Sequence, residues 1–361
     1  METSANRTEK KKNLLIDTDI HNGLKSEADL LPYLPKVWHE QWLGQRTGLG
    51  QPYYSQVGVL RRDAIPDAGG SSGSDPHFLV KDHLDRYQFD YGILTGQSIL
   101  EVSLHPDIDY GNALVSAYND YLIQHWLPID SRLKGAMLIN HSDPVYSARE
   151  IERIGGHPDI VEVIMCSAAN RLYGHRFYHP IYEEAERYGL PVSFHPGTEG
   201  RGLTGAATPS GYPSRYMEWH NILPTNYMAH VNSMVCEGVF EKFPALKVVA
   251  IEGGITWLAH LMWRMDKNYK ALRDSTPWLK KLPSEYIREH LFLTTQPIEE
   301  PDHPDHLMQI IQMCRAENNI MYSSDYPHWD FDHPKLTLQR FPKELRAKIQ
   351  GGTAAKLYRL E

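Results

Sequence analysis

The chain has 361 residues, 41% hydrophobic and 23% charged, an ordinary globular mix long enough to bury a core without disulfide or metal staples. Its net charge of -8 at neutral pH argues against nucleic acid or an anionic membrane surface as the main partner, since both select for basic patches. Three cysteines, Cys166, Cys236 and Cys314, lie far apart in no metal-type spacing and read as reduced thiols of a cytoplasmic protein.

The opening METSANRTEKKKN is polar and lacks the apolar core of a secretory signal. Residues 1–12 are predicted to be a disordered tail and residues 13–361 one domain. No apolar run approaches the ~20 residues of a membrane-spanning helix.

Eight short apolar runs then predict buried strands: Leu14–His21, Tyr91–Gly96, Lys134–Ile139, Ile160–Cys166, Pro191–His195, Lys247–Glu252, Leu291–Thr295 and Asn319–Ser324. Runs such as LKVVAIE and PVSFHP are continuously apolar and rich in β-branched residues, as parallel strands covered on both faces are. Helical patterns separate most of them, over Phe78–Phe89, Gly111–Trp126, Pro180–Gly189 and Ala229–Phe243. The alternation predicts a (β/α)8 TIM-type barrel. Residues 22–77 and 197–226 break the rhythm with long stretches rich in Gly, Pro and aromatics, predicting long loops after strands 1 and 5. Loops on that rim build the active site of such barrels. Trp38, Trp42, Tyr53 and Tyr54 in the first loop read as core packing, or as an aromatic wall over the site.

Strand ends carry the chemistry. The first strand closes on Asp17-Thr18-Asp19-Ile20-His21, where period-2 alternation puts Asp19 and His21 on one face, with Asp17 deeper. The fifth closes on His195 before Pro196-Gly197, and the eighth on Ser323-Ser324-Asp325. Each alone has an ordinary explanation, as a helix cap or a polar residue that ends a strand. Together they place two imidazoles and two carboxylates at one rim, a donor set that suits Zn2+ first and Mn2+ as the alternative.

These residues, with HPIYEEAERYGLPVSFHPG at 179–197, GVFEKFPALKVV at 238–249, LMWRMD at 261–266 and MYSSDYPHWD at 321–330, resemble the amidohydrolase-related metal-dependent barrels typified by aminocarboxymuconate-semialdehyde decarboxylase and γ-resorcylate decarboxylase. The resemblance runs from about Leu14 to Leu360. It implies one divalent metal held by Asp19, His21, His195 and Asp325, a small organic acid or aromatic substrate, and a homodimer or higher homo-oligomer. It further implies that Arg264 holds a substrate carboxylate, in some members across a dimer interface. His230 begins a helix where relatives also carry His, and His328 lies three residues after Asp325; each is a candidate substrate contact, with a structural role as the first reading.

The departures from the family pattern matter. Many relatives have His-x-His on the first strand; here Gly23 replaces the second His. The fourth strand ends without a bridging Lys or Glu, which predicts one metal. On the sixth strand the decarboxylases carry a catalytic His. Aligned from LKVVAIE, Glu252 replaces it; aligned back from WRMD, Gly253 does, and the strand alignment is preferred. A carboxylate beside a metal-activated water suits hydrolysis or hydration, with Glu252, Asp325 and His195 as the catalytic set. Non-oxidative decarboxylation is the alternative. Glu252 as a group that only orients His195 or Asp325 is a third reading.

Overall fold

The computed structural model describes residues 13–50, 59–97, 99–303 and 305–360. The 1–12 tail, Tyr53 and Tyr54 lie outside them. Eight parallel strands form one sheet in the order β1 to β8: Ile16–Ile20, Tyr91–Leu94, Leu133–Leu138, Ile160–Cys166, Val192–His195, Val248–Ala250, Leu291–Thr294 and Ile320–Met321. All eight predicted strands are strands, and with the helices around them they form a (β/α)8 barrel. Side chains such as Met137, Val163, Phe194, Val249 and Leu293 are fully buried, as strands packed on both faces require.

The last step of the ring is built differently from the rest. β8 has two residues, and it meets β1 through an isolated bridge, Ile20 to Tyr326. Backbone bonds from Thr18 N to Tyr322 O (3.1 Å) and from His21 N to Tyr326 O (2.7 Å) support that bridge.

The helices follow their local signals. Asp75 caps the helix that opens at Pro76–Leu79 and widens into a π-turn over Val80–Asp85. Asp107, by accepting from Tyr110 N, starts the next helix at Ile108, three residues ahead of the prediction. The helix His179–Tyr188 has Pro180 in its first turn and ends at Gly189, whose φ of 65° is left-handed. The predicted helix over Ala229–Phe243 is two, Pro224–Cys236 and Val239–Lys242, because the chain turns through Gly238 at φ 72°.

The stretch after β1 is less irregular than its composition suggests. Short helices lie at Glu27–Leu30, Lys36–Trp38, His39–Gln45 and Arg62–Ala64. Trp42 anchors them, buried and bonded through Nε1 to Glu27 O (2.7 Å). Trp38 packs on Tyr110. The stretch after β5 reaches its first helix at Tyr216–His220, which carries the buried Trp219. Among the described residues no helix is long and apolar enough to cross a membrane. The cysteines are unpaired, with Cys166 and Cys314 buried.

Candidate metal centre

Asp19 is the fourth residue of β1 and His21 follows its end, so both side chains enter the barrel mouth from one face. His195 ends β5, Glu252 lies two residues beyond β6, and Asp325 four beyond β8. All are buried. Glu252 and Asp325 both hold left-handed backbone, φ 59° and 58°, which costs non-glycine residues energy and tends to mark functional sites. Gly253 is not in the mouth: a Cβ there would lie 2.5 Å from the Tyr227 ring. The sixth-strand position that faces the site is therefore Glu252.

The two histidines are prepared as ligands. His21 Nδ1 donates to Gly96 O (2.5 Å) and His195 Nδ1 to Pro196 O (2.9 Å), which leaves each Nε2 aimed inward. Neither Nε2 makes an aligned hydrogen bond, nor does Asp19 Oδ2, and all three atoms are buried. Asp19 Oδ1 is held by Thr95 Oγ1 (2.6 Å). Ligand atoms of Asp19, His21, His195 and Glu252 lie within 4.8 Å of one another, and those of His21, Asp325 and His328 do likewise. Asp325 Oδ1 sits 2.9 Å from His21 Nε2, and Glu252 Oε2 3.3 Å from His195 Nε2. Orphaned buried polar atoms are costly unless something satisfies them. These are two sets of imidazole and carboxylate donors that share His21, with Glu252 rather than Asp325 grouped with Asp19 and His195, and such donors fit a divalent cation.

The electrostatics agree. Burial opposes ionisation of Asp19, yet the imidazoles of His21 and His195 hold its carboxyl below the usual range. Burial likewise works against charge on His21, but Asp19 and Asp325 keep its pKa up at about 9. Burial is also the largest influence on Asp325, and His328 and His21 overcome it to hold that carboxyl far down. Glu252 goes the other way: burial, with Asp325, Asp330, Asp19 and Glu199 around it, pushes its carboxyl well above the usual range. The pocket concentrates negative charge that a dication would neutralise.

A cavity of about 190 Å³ opens above these groups, lined also by Gln97, Leu100, Glu101, Thr198, Arg201, Tyr216, Trp219 and His328. His328 belongs to the site, with Nδ1 2.5 Å from Asp325 Oδ1 and Nε2 3.3 Å from Gln97 Nε2. Two of the expected residues do not. His230 is buried with Nε2 donating to Ser167 O (2.7 Å) and Nδ1 accepting from Tyr173 N (3.2 Å), so both nitrogens serve the backbone. Arg264 is exposed on the helix Trp257–Leu272 and does not line the cavity.

Sequence reasoning passed over several residues that the fold brings in. Arg201 is the cation in the cavity wall; it pairs with Glu101, and its Nε is buried without a partner. Glu199 accepts from Gly197 N, Thr198 N and Trp219 Nε1, which fixes the loop after β5 and seats Trp219. His220 lies 3.2 Å from Asp330 Oδ2 and 3.8 Å from Glu252 Oε1. The available signal was GTEGRG directly after a ligand-bearing strand, where charged residues in a glycine-rich loop stand at the barrel mouth.

The chain is 24% identical over 272 residues to a γ-resorcylate decarboxylase of a Polaromonas species, covering 70% of this chain and 78% of that protein. It is 23% identical over 190 residues to the 2-amino-3-carboxymuconate-6-semialdehyde decarboxylase of Dictyostelium discoideum, covering half of this chain and 48% of that protein. Its fold matches a Polaromonas dihydroxybenzoic acid decarboxylase solved with bound manganese and the inhibitor 2-nitroresorcinol, at TM-score 0.64 and 17% identity, over 97% of this chain and 98% of that one. The amidohydrolase family model matches residues 66–360. The chain is thus an enzyme of the amidohydrolase family, built on that family's barrel with a metal-type donor cluster at its mouth.

Proposed function

We propose that this enzyme is a metal-dependent, non-oxidative decarboxylase of a small aromatic acid. The observation that carries the reading is the cavity itself: metal-type donors form its floor, and Arg201, Trp219 and Tyr216 form its wall. A guanidinium recognises a carboxylate, and aromatic side chains suit a flat ring. The names of the relatives point to the same chemistry. The expectation of hydrolysis gives way here, because the relatives and the structural neighbour named above are decarboxylases.

Asp19, His21 and His195 would hold the metal, with Asp325 as the fourth donor. When bound, such an ion polarises an oxygen-donor substrate and neutralises its charge. Two imidazoles with two carboxylates suit Mn2+ or Zn2+. We place Mn2+ first, since manganese occupies the Polaromonas relative. The protein's own residues do the rest. Arg201 and the Trp219 wall orient the ring. Glu252 lines the cavity with its Oε2 3.3 Å from His195 Nε2 and its Oε1 3.8 Å from His220 Nε2, and its side chain keeps 8% exposure. It is placed to deliver a proton to the ring carbon as the bond from that carbon to the carboxylate breaks. Carbon dioxide leaves and its bonding electrons stay with the ring, so the sum is acid anion plus proton to arene plus CO2. Gln296 and His328 hold Asp325 in place, through Nε2 to Oδ2 (3.3 Å) and Nδ1 to Oδ1 (2.5 Å).

The test is CO2 release from a panel of hydroxybenzoates and carboxyvanillate with Mn2+-loaded enzyme, run beside aryl amides and lactones. Hydrolysis of the second group without CO2 from the first would sink the decarboxylase reading. We also place the enzyme in the cytoplasm, on its unpaired cysteines, and as a homodimer. The helix Trp257–Leu272 presents Arg264 beside Trp263, which is 51% exposed, as a face for a second copy. Sedimentation measures that.

A further inference from the structure

The metal donors are split across the weakest join in the barrel. Asp19 and His21 belong to β1, and Asp325 follows β8, yet these two strands meet through one isolated bridge. A ladder of backbone bonds fixes the relative position of neighbouring strands. Here that ladder is reduced to Thr18 N to Tyr322 O and His21 N to Tyr326 O, and neither bond holds Asp325 itself.

We infer that Asp17, Ser324 and His83 form a clamp that sets the separation of the metal donors across this seam. The inference rests on the metal-site reading above. Asp17 is on β1, fully buried, one pleat below Asp19. Its Oδ1 accepts from Ser324 N (2.9 Å) and Asp19 N (3.2 Å). Its Oδ2 accepts from Ser324 Oγ (2.5 Å) and His83 Nε2 (2.7 Å). One carboxylate thus ties the backbone before Asp325 to the backbone of Asp19.

Ser324 extends the clamp. Its Oγ donates to Asp17 and accepts from Tyr326 N (3.1 Å), so the hydroxyl spans Asp325 on both sides. That bracket supports the left-handed backbone of Asp325, φ 58°, which a residue with a Cβ does not adopt without help. His83 anchors the assembly to the outer layer. It lies on the π-turn Val80–Asp85, and its ring stacks on Tyr326 with centroids 4.4 Å apart and planes at 28°. A serine, a histidine and an aspartate in contact suggest a nucleophilic triad, but all three are fully buried below the cavity floor and none of them lines it. They are positioning residues.

The clamp is tested by loading Mn2+ and reading its affinity and its electron paramagnetic resonance spectrum, with melting temperature measured in parallel. Ser324→Ala removes the bracket but leaves the carboxylate. We expect Mn2+ to bind about 10- to 100-fold more weakly, the range for loss of a partner that orients a metal ligand, and the spectrum to change. Ser324→Thr, which keeps the hydroxyl, should restore both. Asp17→Asn should act as Ser324→Ala does. If it fails to fold, the serine pair decides. Wild-type affinity and spectrum in Ser324→Ala would overturn the inference, even with a lower melting temperature, because that outcome describes stability alone. Neither readout depends on which substrate is turned over, so failure of the decarboxylase assay leaves this test intact.

Discussion

Two clusters of buried histidines lie at the mouth of this barrel, and they are opposites. In the metal pocket, His21 and His195 spend one nitrogen on a backbone carbonyl and leave the other without an aligned hydrogen bond among carboxylates. Farther round the rim, His141 sits 3.0 Å from Cys166 Sγ, and His230 stacks on Tyr173 with both nitrogens bonded to backbone. Carboxylates hold His21 up at about 9 against its burial. Burial takes His141 down to about 3 and His230 to about 4, with no carboxylate to oppose it. The same residue type, equally buried, carries an inward nitrogen without a partner in one place and is a neutral packing element in the other. What separates them is that unpartnered nitrogen and the nearby negative charge, not exposure or residue type.

The sharpest way to break this contrast is His195→Ala. It should cut Mn2+ affinity by more than about 100-fold, beyond what removing a group behind a ligand does, and abolish turnover. Metal analysis after gel filtration and CO2 release read both. Retained metal would mean that the orphaned atoms are not its ligands. Glu252→Gln comes next. It should lower kcat by about 100-fold or more, as loss of a general acid does, while the protein still loads Mn2+; unchanged turnover would remove Glu252 from the reaction.

Arg201→Met should raise KM about 10- to 100-fold, from the ~1.5–3 kcal/mol of a hydrogen bond to a charged group, with kcat little altered. Steady-state kinetics on the best aromatic acid measure it, and an unchanged KM would move substrate recognition elsewhere. In the other cluster, His230→Ala should leave Mn2+ affinity alone. It should destabilise the fold by about 2–4 kcal/mol through two lost hydrogen bonds and a cavity, read as a lower denaturation midpoint. Loss of metal in that variant would erase the distinction between the clusters.

The smallest effect is in pH. His141 and His230 have folded pKa values below the ordinary 6.5, so the unfolded chain binds protons first as pH falls. Their stabilisation is complete above pH 6.5 and is lost as pH drops toward about 4 for His230 and about 3 for His141. Denaturation midpoints between pH 7 and 4 should fall less steeply in His230→Gln than in the parent. Parallel slopes would show that His230 does not resist protonation.

Much of this was legible in the chain. Continuous apolar runs bounded by polar segments marked all eight strands, because a strand covered on both faces leaves no other pattern. That Asp19, His21, His195 and Asp325 reach the barrel mouth was legible because alternation and strand ends are local properties; that Glu252 and not Asp325 groups with the first three was not. Arg201 and Glu199 were not, since a glycine-rich loop has no period from which to project a side chain. The setting of His230 was hidden for the opposite reason. Its place in the chain matched relatives and made it a candidate contact beside a structural role, but its two hydrogen bonds reach Ser167 and Tyr173 in a different strand's loop. Asp17 was seen to share the face of Asp19, but its partners lie 66 and 307 residues away.

By itself, then, the sequence determined the barrel, the rim on which the chemistry sits and the residue types that meet there, because hydrophobic period and strand-end placement act over a few residues. The tertiary structure alone decided which histidines keep an unpartnered nitrogen, which carboxyl groups with Asp19 and His195 and which cation enters the cavity wall. Those properties depend on hydrogen bonds and electrostatic fields among groups far apart in the chain, and only the closed barrel brings them within a few ångströms of one another.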